Sequence, residues 1–146
     1  MEYLHTMVRV ADLKQSLDFY VDKLGLVETR RIDNDAGRYP LVYLAAPGDM
    51  DRAAIFMSPL IELTHNGDKE IYAGGRNFGH LAFAVEDIYA ICDRLMKAGV
   101  LINRPPRDGA MAFIRSPDNI SIELLQQGAP LPKREPWASL PNTGVW

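Results

Sequence analysis

The stretch His5-Thr-Met-Val-Arg-Val10-Ala-Asp12-Leu13 returns 75 positions later as His80-Leu-Ala-Phe-Ala-Val85-Glu-Asp87-Ile88, and Asp18 falls on Asp93. Each copy then closes on the same tripeptide, Ile61-Glu62-Leu63 in the first half and Ile122-Glu123-Leu124 in the second. Internal repetition decides the architecture before any single element is assigned, because a repeated unit folds the same way twice. A histidine and a glutamate per copy make four candidate ligands, His5, Glu62, His80 and Glu123. Imidazole paired with carboxylate is the donor inventory of a divalent-metal site.

Working outward, each copy opens with a short alternating run, residues 4 to 10 and 79 to 85, followed by an aspartate placed to cap a helix. After Asp12 the apolar residues Leu13, Leu17, Tyr20, Val21 and Leu24 recur at helical spacing and Gly25 supplies the stop. After Asp87, Ile88, Ile91, Cys92, Leu95 and Met96 do the same and end at Gly99. Strands are then expected over 26 to 32, 41 to 46 and 53 to 63. In the second half they are expected over 100 to 104, 110 to 115 and 120 to 125, with Pro, Gly, Asp and Asn turns between.

The fold class is therefore α+β, with two tandem βαβββ modules curling into a mixed-sheet cleft. Module one takes 1 to 66, a connector 67 to 77 and module two 78 to 127, together one domain over 1 to 127. The remaining residues, 128 to 146, hold four prolines and both tryptophans, Trp137 and Trp146. They predict an extended arm anchored by its aromatics rather than a helix or a central strand.

Alternate side chains of a strand share a face, so His5 lies with Met7 and Arg9 while Thr6, Val8 and Val10 turn toward the helix. By the repeat His80 shares that placement. Glu62 and Glu123 fall on the polar face because their Ile and Leu neighbours face the core. All four candidates are thereby expected on the cleft side, with Arg9 nearby. One such histidine or glutamate is ordinarily a surface residue; the doubled pattern is what points to a metal. His65 has no counterpart in the repeat and reads as a surface residue.

Composition narrows the partners. With 47% apolar and 24% charged residues among 146, the chain is an ordinary globular protein. A net charge of -3 and pI near 5.6 give no basic footprint for nucleic acid or an anionic membrane. No stretch approaches the length and apolarity of a membrane span or a signal segment. The lone Cys92 sits in the second helical pattern and reads as a buried, reduced thiol, which suits the cytoplasm.

At these residues the chain resembles the glyoxalase I (lactoylglutathione lyase) family of the vicinal oxygen chelate superfamily. The matching stretches are Leu4-His-Thr-Met-Val-Arg-Val10, Ser16-Leu-Asp-Phe-Tyr20 with Leu24-Gly25-Leu26, Ile61-Glu-Leu-Thr-His-Asn66, Arg76-Asn-Phe-Gly-His80, and Ser116-Pro-Asp118 leading to Ile122-Glu-Leu124. The resemblance runs from about residue 3 to 127 of the sequence.

It implies a cleft of paired modules, metal ligands His5, Glu62, His80 and Glu123, and a homodimer whose active sites are shared between chains. The implied reaction isomerises the hemithioacetal of methylglyoxal and glutathione to S-lactoylglutathione, with glutathione as co-substrate. By the same resemblance Glu123 is expected to be the catalytic base and Glu62 its counterpart, with Arg9, Asn66 and Arg76 expected to hold glutathione. Two carboxylates and two imidazoles suit an octahedral ion, nickel or cobalt ahead of zinc.

The family's lysine-containing glycine-carboxylate loop is here the short Arg107-Asp-Gly-Ala110, where Arg107 is the candidate substitute. Two further readings compete. One is another activity of the superfamily, a lyase, epimerase or dioxygenase on a different small molecule. The other is a metal-free binding module. Dioxygenases of the superfamily use two histidines and one carboxylate, and its epimerases carry glutamine where this chain has Glu62.

Overall fold

The computed structural model describes residues 1–33, 40–67, 70–75 and 77–146. The chain divides into two compact units, Met1–Ala73 and Gly74–Trp146. In the first, β1 (His5–Arg9), α1 (Leu13–Leu17), β2 (Val27–Ile32), β3 (Leu41–Ala45), α2 (Met50–Phe56) and β4 (Leu60–Thr64) follow in order. The second runs β5 (Leu81–Val85), α3 (Ile88–Lys97), β6 (Ile102–Arg104), β7 (Met111–Arg115) and β8 (Ser121–Gln126).

Both sheets have the same order, β1-β4-β3-β2 and β5-β8-β7-β6, so in each the first strand pairs parallel with the last while the other pairs are antiparallel. A parallel pair needs a crossover, and the intervening helix and hairpin supply it.

The helices begin where the aspartates stand. Extended Asp12 accepts a hydrogen bond from the Gln15 N–H at 2.9 Å. Asp87 accepts from Tyr89 and Ala90, both at 2.9 Å. Such N-caps contribute about 1 kcal/mol each. Between helix and sheet, Val8, Val10, Tyr20, Leu44 and Leu63 in one unit and Ile88, Leu95, Ile114, Ile122 and Leu124 in the other are all buried. Truncating one of them, as in Leu124→Ala, costs roughly 2–5 kcal/mol because a cavity replaces packed atoms.

Three expectations need correction. The first amphipathic segment is not one α-helix: after Leu17 the chain widens into a π-helical turn, Asp18–Lys23, where Leu24 N–H donates to Phe19 O at 2.8 Å. The extra residue per turn rotates the buried face onto Ser16, Phe19, Tyr20 and Leu24 and leaves Leu13 and Leu17 half-buried.

The second correction concerns residues 53 to 63, expected as strand. Residues 50 to 56 form α2, and strand begins only at Leu60. Pro47 opens a 3-10 turn and the Ala53-Ala54 pair favours helix, so local propensity prevails over an apolar run. The run is not buried as a strand would be: Ile55, Phe56 and Met57 remain exposed.

In α3, finally, Ile88, Cys92 and Leu95 are buried as expected, but Met96 is exposed and Tyr89, outside the expected stripe, is buried. The cause lies in residues 128–146, which carry no helix or strand and fold back over the second unit. Tyr89 Oη donates to Pro132 O at 3.1 Å, the Arg134 guanidinium lies 4.5 Å over its ring, and Arg134 pairs with Asp93 at 3.2 Å. Trp137 is buried as expected of an anchor. Cys92 is buried too, and burial, with the charge of Asp93 behind it, pushes its thiol up to about 12. It is no nucleophile at neutral pH.

Candidate metal centre

In the first unit β1 and β4 run parallel with Met7 opposite Glu62. His5, two residues earlier on the same face as Met7, therefore leans toward that glutamate, and His5 Nε2 stands 3.0 Å from Glu62 Oε2. In the second unit Ala82 is opposite Glu123, and His80 again lies two residues before its pairing position. The separation His80 Nε2 to Glu123 Oε2 is 3.1 Å. One register, built twice, yields the same imidazole–carboxylate pair.

Around the pair the repeat continues. Tyr43 is paired across the sheet with Glu62, and Phe113 with Glu123. Each ring meets its histidine edge-on, at 5.8 Å and 78° for Tyr43 with His5 and at 5.5 Å and 83° for Phe113 with His80. The polar surroundings differ. Thr64 Oγ1 donates to Glu62 Oε1 at 3.1 Å. The Tyr43 phenol is shifted up by burial first, and then by its hydrogen bond to Glu62 and by that carboxylate's charge. Opposite Glu123 stands a phenyl ring, and Leu125 takes the place that Thr64 has beside Glu62. The glutamates were expected on an open polar face, yet Glu62 is 9% exposed, tucked beneath His5 and Tyr43.

A separation of 3.0–3.1 Å serves a His–Glu hydrogen bond. It is also roughly the distance between neighbouring nitrogen and oxygen ligands each about 2.1 Å from one ion. The donor set thus fits a borderline divalent cation, two ligands per unit. Among the described residues no three His, Cys, Asp or Glu side chains gather at one point.

The other expected site residues are placed as follows. Arg9 is exposed on the His5 face of β1, and Asn66 lies just past β4, half-buried. Arg76 falls outside the described residues. Arg107 directs Nη1 to Leu140 O at 2.9 Å, which engages part of its guanidinium with the arm. In the same loop Asp108 is held down at about 2: burial works against this, but Arg104 at 2.8 Å and the backbone N–H groups of Ala110 and Met111 favour the charged form. His65 accepts from the Gly67 N–H at 3.2 Å and serves a turn.

Sequence reasoning missed the wall of the first pair. Leu4, His5, Tyr43, Met50, Ala53 and Met57 line a cavity of about 460 Å³, together with Glu28 and Arg30 of β2. Arg30 lies 5.4 Å over the Tyr43 ring. The signal was present in Pro47-Gly-Asp-Met-Asp-Arg-Ala-Ala54, whose helix start places Met50 and Ala53 against the sheet. The role of Trp146, 6.1 Å from Phe113, had no signal beyond its being aromatic.

Residues 3–124 match the family model described as Glyoxalase/Bleomycin resistance protein/Dioxygenase superfamily. The chain is 40% identical over 131 residues to a probable lactoylglutathione lyase of Synechocystis, covering 86% of this chain and 95% of that one. It is 39% identical over 132 residues to a lactoylglutathione lyase of Neisseria meningitidis, covering 87% and 91%. Among solved structures, the trypanothione-dependent glyoxalase I of Leishmania major superposes with a TM-score of 0.76 at 35% identity, covering 87% of each chain. The arm lies beyond the residues that the family model matches.

Proposed function

Because the chain belongs to the glyoxalase/bleomycin resistance protein/dioxygenase superfamily, we propose that it is a metal-dependent enzyme of the glyoxalase I kind, converting the methylglyoxal–glutathione hemithioacetal to S-lactoylglutathione. The observation that carries this reading is the His–Glu pair built twice at one register, in a chain about 40% identical to lactoylglutathione lyases. A divalent ion, nickel or cobalt ahead of zinc, would be held by His5, Glu62, His80 and Glu123, and when bound it supplies Lewis-acid stabilisation of negative charge on the substrate's adjacent oxygens.

The chain's own residues do the rest. The reaction moves one hydrogen from the carbon bearing sulfur to its neighbour, so it needs a carboxylate that can take a proton and return it. Glu123 is that base. Its Oε2 faces His80, and opposite it stands a phenyl ring without a hydroxyl. Glu62, engaged by both Thr64 and Tyr43, serves as a ligand held in place. The apolar cavity beside His5 shields the reacting carbons from water, which favours return of the proton to carbon. Arg9, Asn66, Arg76 and the free part of Arg107 hold the carboxylates of glutathione through guanidinium and amide donors. The trypanothione-dependent relative indicates that the thiol carrier varies on this fold, so glutathione is the thiol to test first.

The assembly follows from the donor count. Each unit offers two ligands, and a two-fold homodimer would bring His5 and Glu62 of one chain to His80 and Glu123 of the other, giving two equivalent sites. No helix among the described residues is long and apolar enough to cross a membrane. We place the enzyme in the cytoplasm, where glutathione is abundant.

The test is direct. Purified chain reconstituted with nickel or cobalt should form thioester from methylglyoxal and glutathione, and the metal-stripped chain should not. Mixing inactive His5→Ala and Glu123→Ala chains should restore partial turnover once subunits exchange. Absence of thioester with every divalent ion sinks the reading, and failed complementation places all four ligands in one chain.

A further inference from the structure

We propose that Trp146, carried to the second half-site by the arm, is a specificity-determining residue that limits the size of the substituent on the 2-oxoaldehyde half of the substrate; this rests on the glyoxalase I reading. The argument is a comparison of equivalent places. In the first unit the ring beside the histidine, Tyr43, lines the cavity of about 460 Å³, which Glu28, Thr29 and Arg30 of β2 also line. The counterparts of β2 and β3 in the second unit are β6 and β7. There the end of the arm lies on them.

Asn103 at the centre of β6 exchanges hydrogen bonds with Thr143, its carbonyl accepting at 2.8 Å and its Nδ2 donating at 3.0 Å. Arg115 Nε at the end of β7 donates to Val145 O at 2.8 Å. These bonds set the Trp146 indole 6.1 Å from Phe113, tilted 32°. Phe113 is thereby left 8% exposed, while Trp146 keeps 40% of its surface open.

The indole therefore has one side on the ring that touches His80 and another free to meet a ligand. It is also no loose end. Upstream, the Leu131 N–H donates to Gly109 O at 3.0 Å, Trp137 is buried, and Arg107 holds Leu140 O. An arm fixed at this many points presents Trp146 at one place, which is what a steric filter requires. Where the first unit has a cavity beside its histidine, the second lays Trp146 on the ring that meets its histidine. A hemithioacetal carrying a methyl group has room beside such a wall; one carrying a phenyl ring meets the indole.

The experiment compares kcat/KM for the glutathione hemithioacetals of methylglyoxal and phenylglyoxal in wild type, Trp146→Ala and Trp146→Phe. Trp146→Ala should raise the phenylglyoxal-to-methylglyoxal ratio about tenfold, the scale on which apolar pockets discriminate by size. Trp146→Phe, which keeps a ring on Phe113, should stay near the wild-type ratio. With wild type active, an unchanged or lowered ratio in Trp146→Ala overturns the filter and leaves the enzyme assignment standing. A wild type inactive toward both substrates overturns the enzyme assignment, and the filter with it.

Discussion

Glu62 and Glu123 occupy the same register position in two copies of one sheet, but their neighbours differ. Glu62 is gripped by Thr64 and Tyr43 and sits beside a cavity walled by α2. Glu123 stands opposite Phe113, on which Trp146 packs, and has Leu125 in the place of Thr64. Duplication copied what the backbone register dictates, the imidazole–carboxylate pair, and left free what single side chains dictate. The difference suits a division of labour. One carboxylate is held by hydroxyl donors; the other has a phenyl ring and Leu125 at the equivalent places.

The sharpest way to break this comparison is to neutralise each glutamate in turn. Glu123→Gln should lower kcat by about 10²–10⁴-fold at saturating metal, the range expected when a general base is removed. Glu62→Gln should act chiefly on metal affinity and recover much of its kcat when metal is in excess. Metal titrations with single-turnover kinetics separate the two, and a Glu62→Gln chain that stays the more impaired at saturating metal reverses the assigned roles.

A smaller effect tests what covers the second half. Gly109 has φ +70°, and a Cβ there would lie 2.0 Å from Leu131 O. Gly109→Ala should therefore displace the start of the arm and lower stability by roughly 1–3 kcal/mol in thermal or denaturant unfolding. Gly99→Ala is the control: its φ is +80° but a Cβ there meets nothing within 4 Å, so only the left-handed backbone cost of about 1 kcal/mol applies. Only Gly109→Ala should also increase acrylamide quenching of tryptophan fluorescence. Equal effects of the two substitutions would show that the arm's seat on Gly109 contributes little.

The smallest effect concerns the hydroxyl that distinguishes Tyr43 from Phe113. Tyr43→Phe keeps the edge-on ring against His5 and removes one donor to Glu62. Metal affinity should fall about tenfold, the lower end for loss of a group that orients a ligand, with kcat at saturating metal barely altered. Isothermal titration with nickel measures it; unchanged affinity would mean that Thr64 alone suffices to hold the carboxylate.

How much of this was legible beforehand depends on the range of the interaction concerned. Repetition at a fixed offset, the capping Asp12 and Asp87, the stops Gly25 and Gly99, and the Ile-Glu-Leu alternation are local signals, and they led to both modules and the four candidate ligands. The stretch before Leu60 was misread because an apolar run looks alike in strand and helix when its partners are unknown; Ile55 and Phe56 proved exposed. Tyr89 was missed for the complementary reason: its burial depends on Pro132 and Arg134, more than forty residues away.

By itself the sequence determined what period and chemistry impose: two βαβββ units, a histidine and a glutamate on one face of each, and an arm excluded from regular structure by its prolines. Only the tertiary structure decided that Tyr43 and Thr64 hold one glutamate while Phe113 adjoins the other, that α2 walls a cavity in one half, and that Trp146 packs on Phe113 in the second. Alternation assigns a side chain to a face of its own strand. Which neighbour shares that face depends on register across strands and on where a tail comes to rest, and these are settled only when distant segments pack.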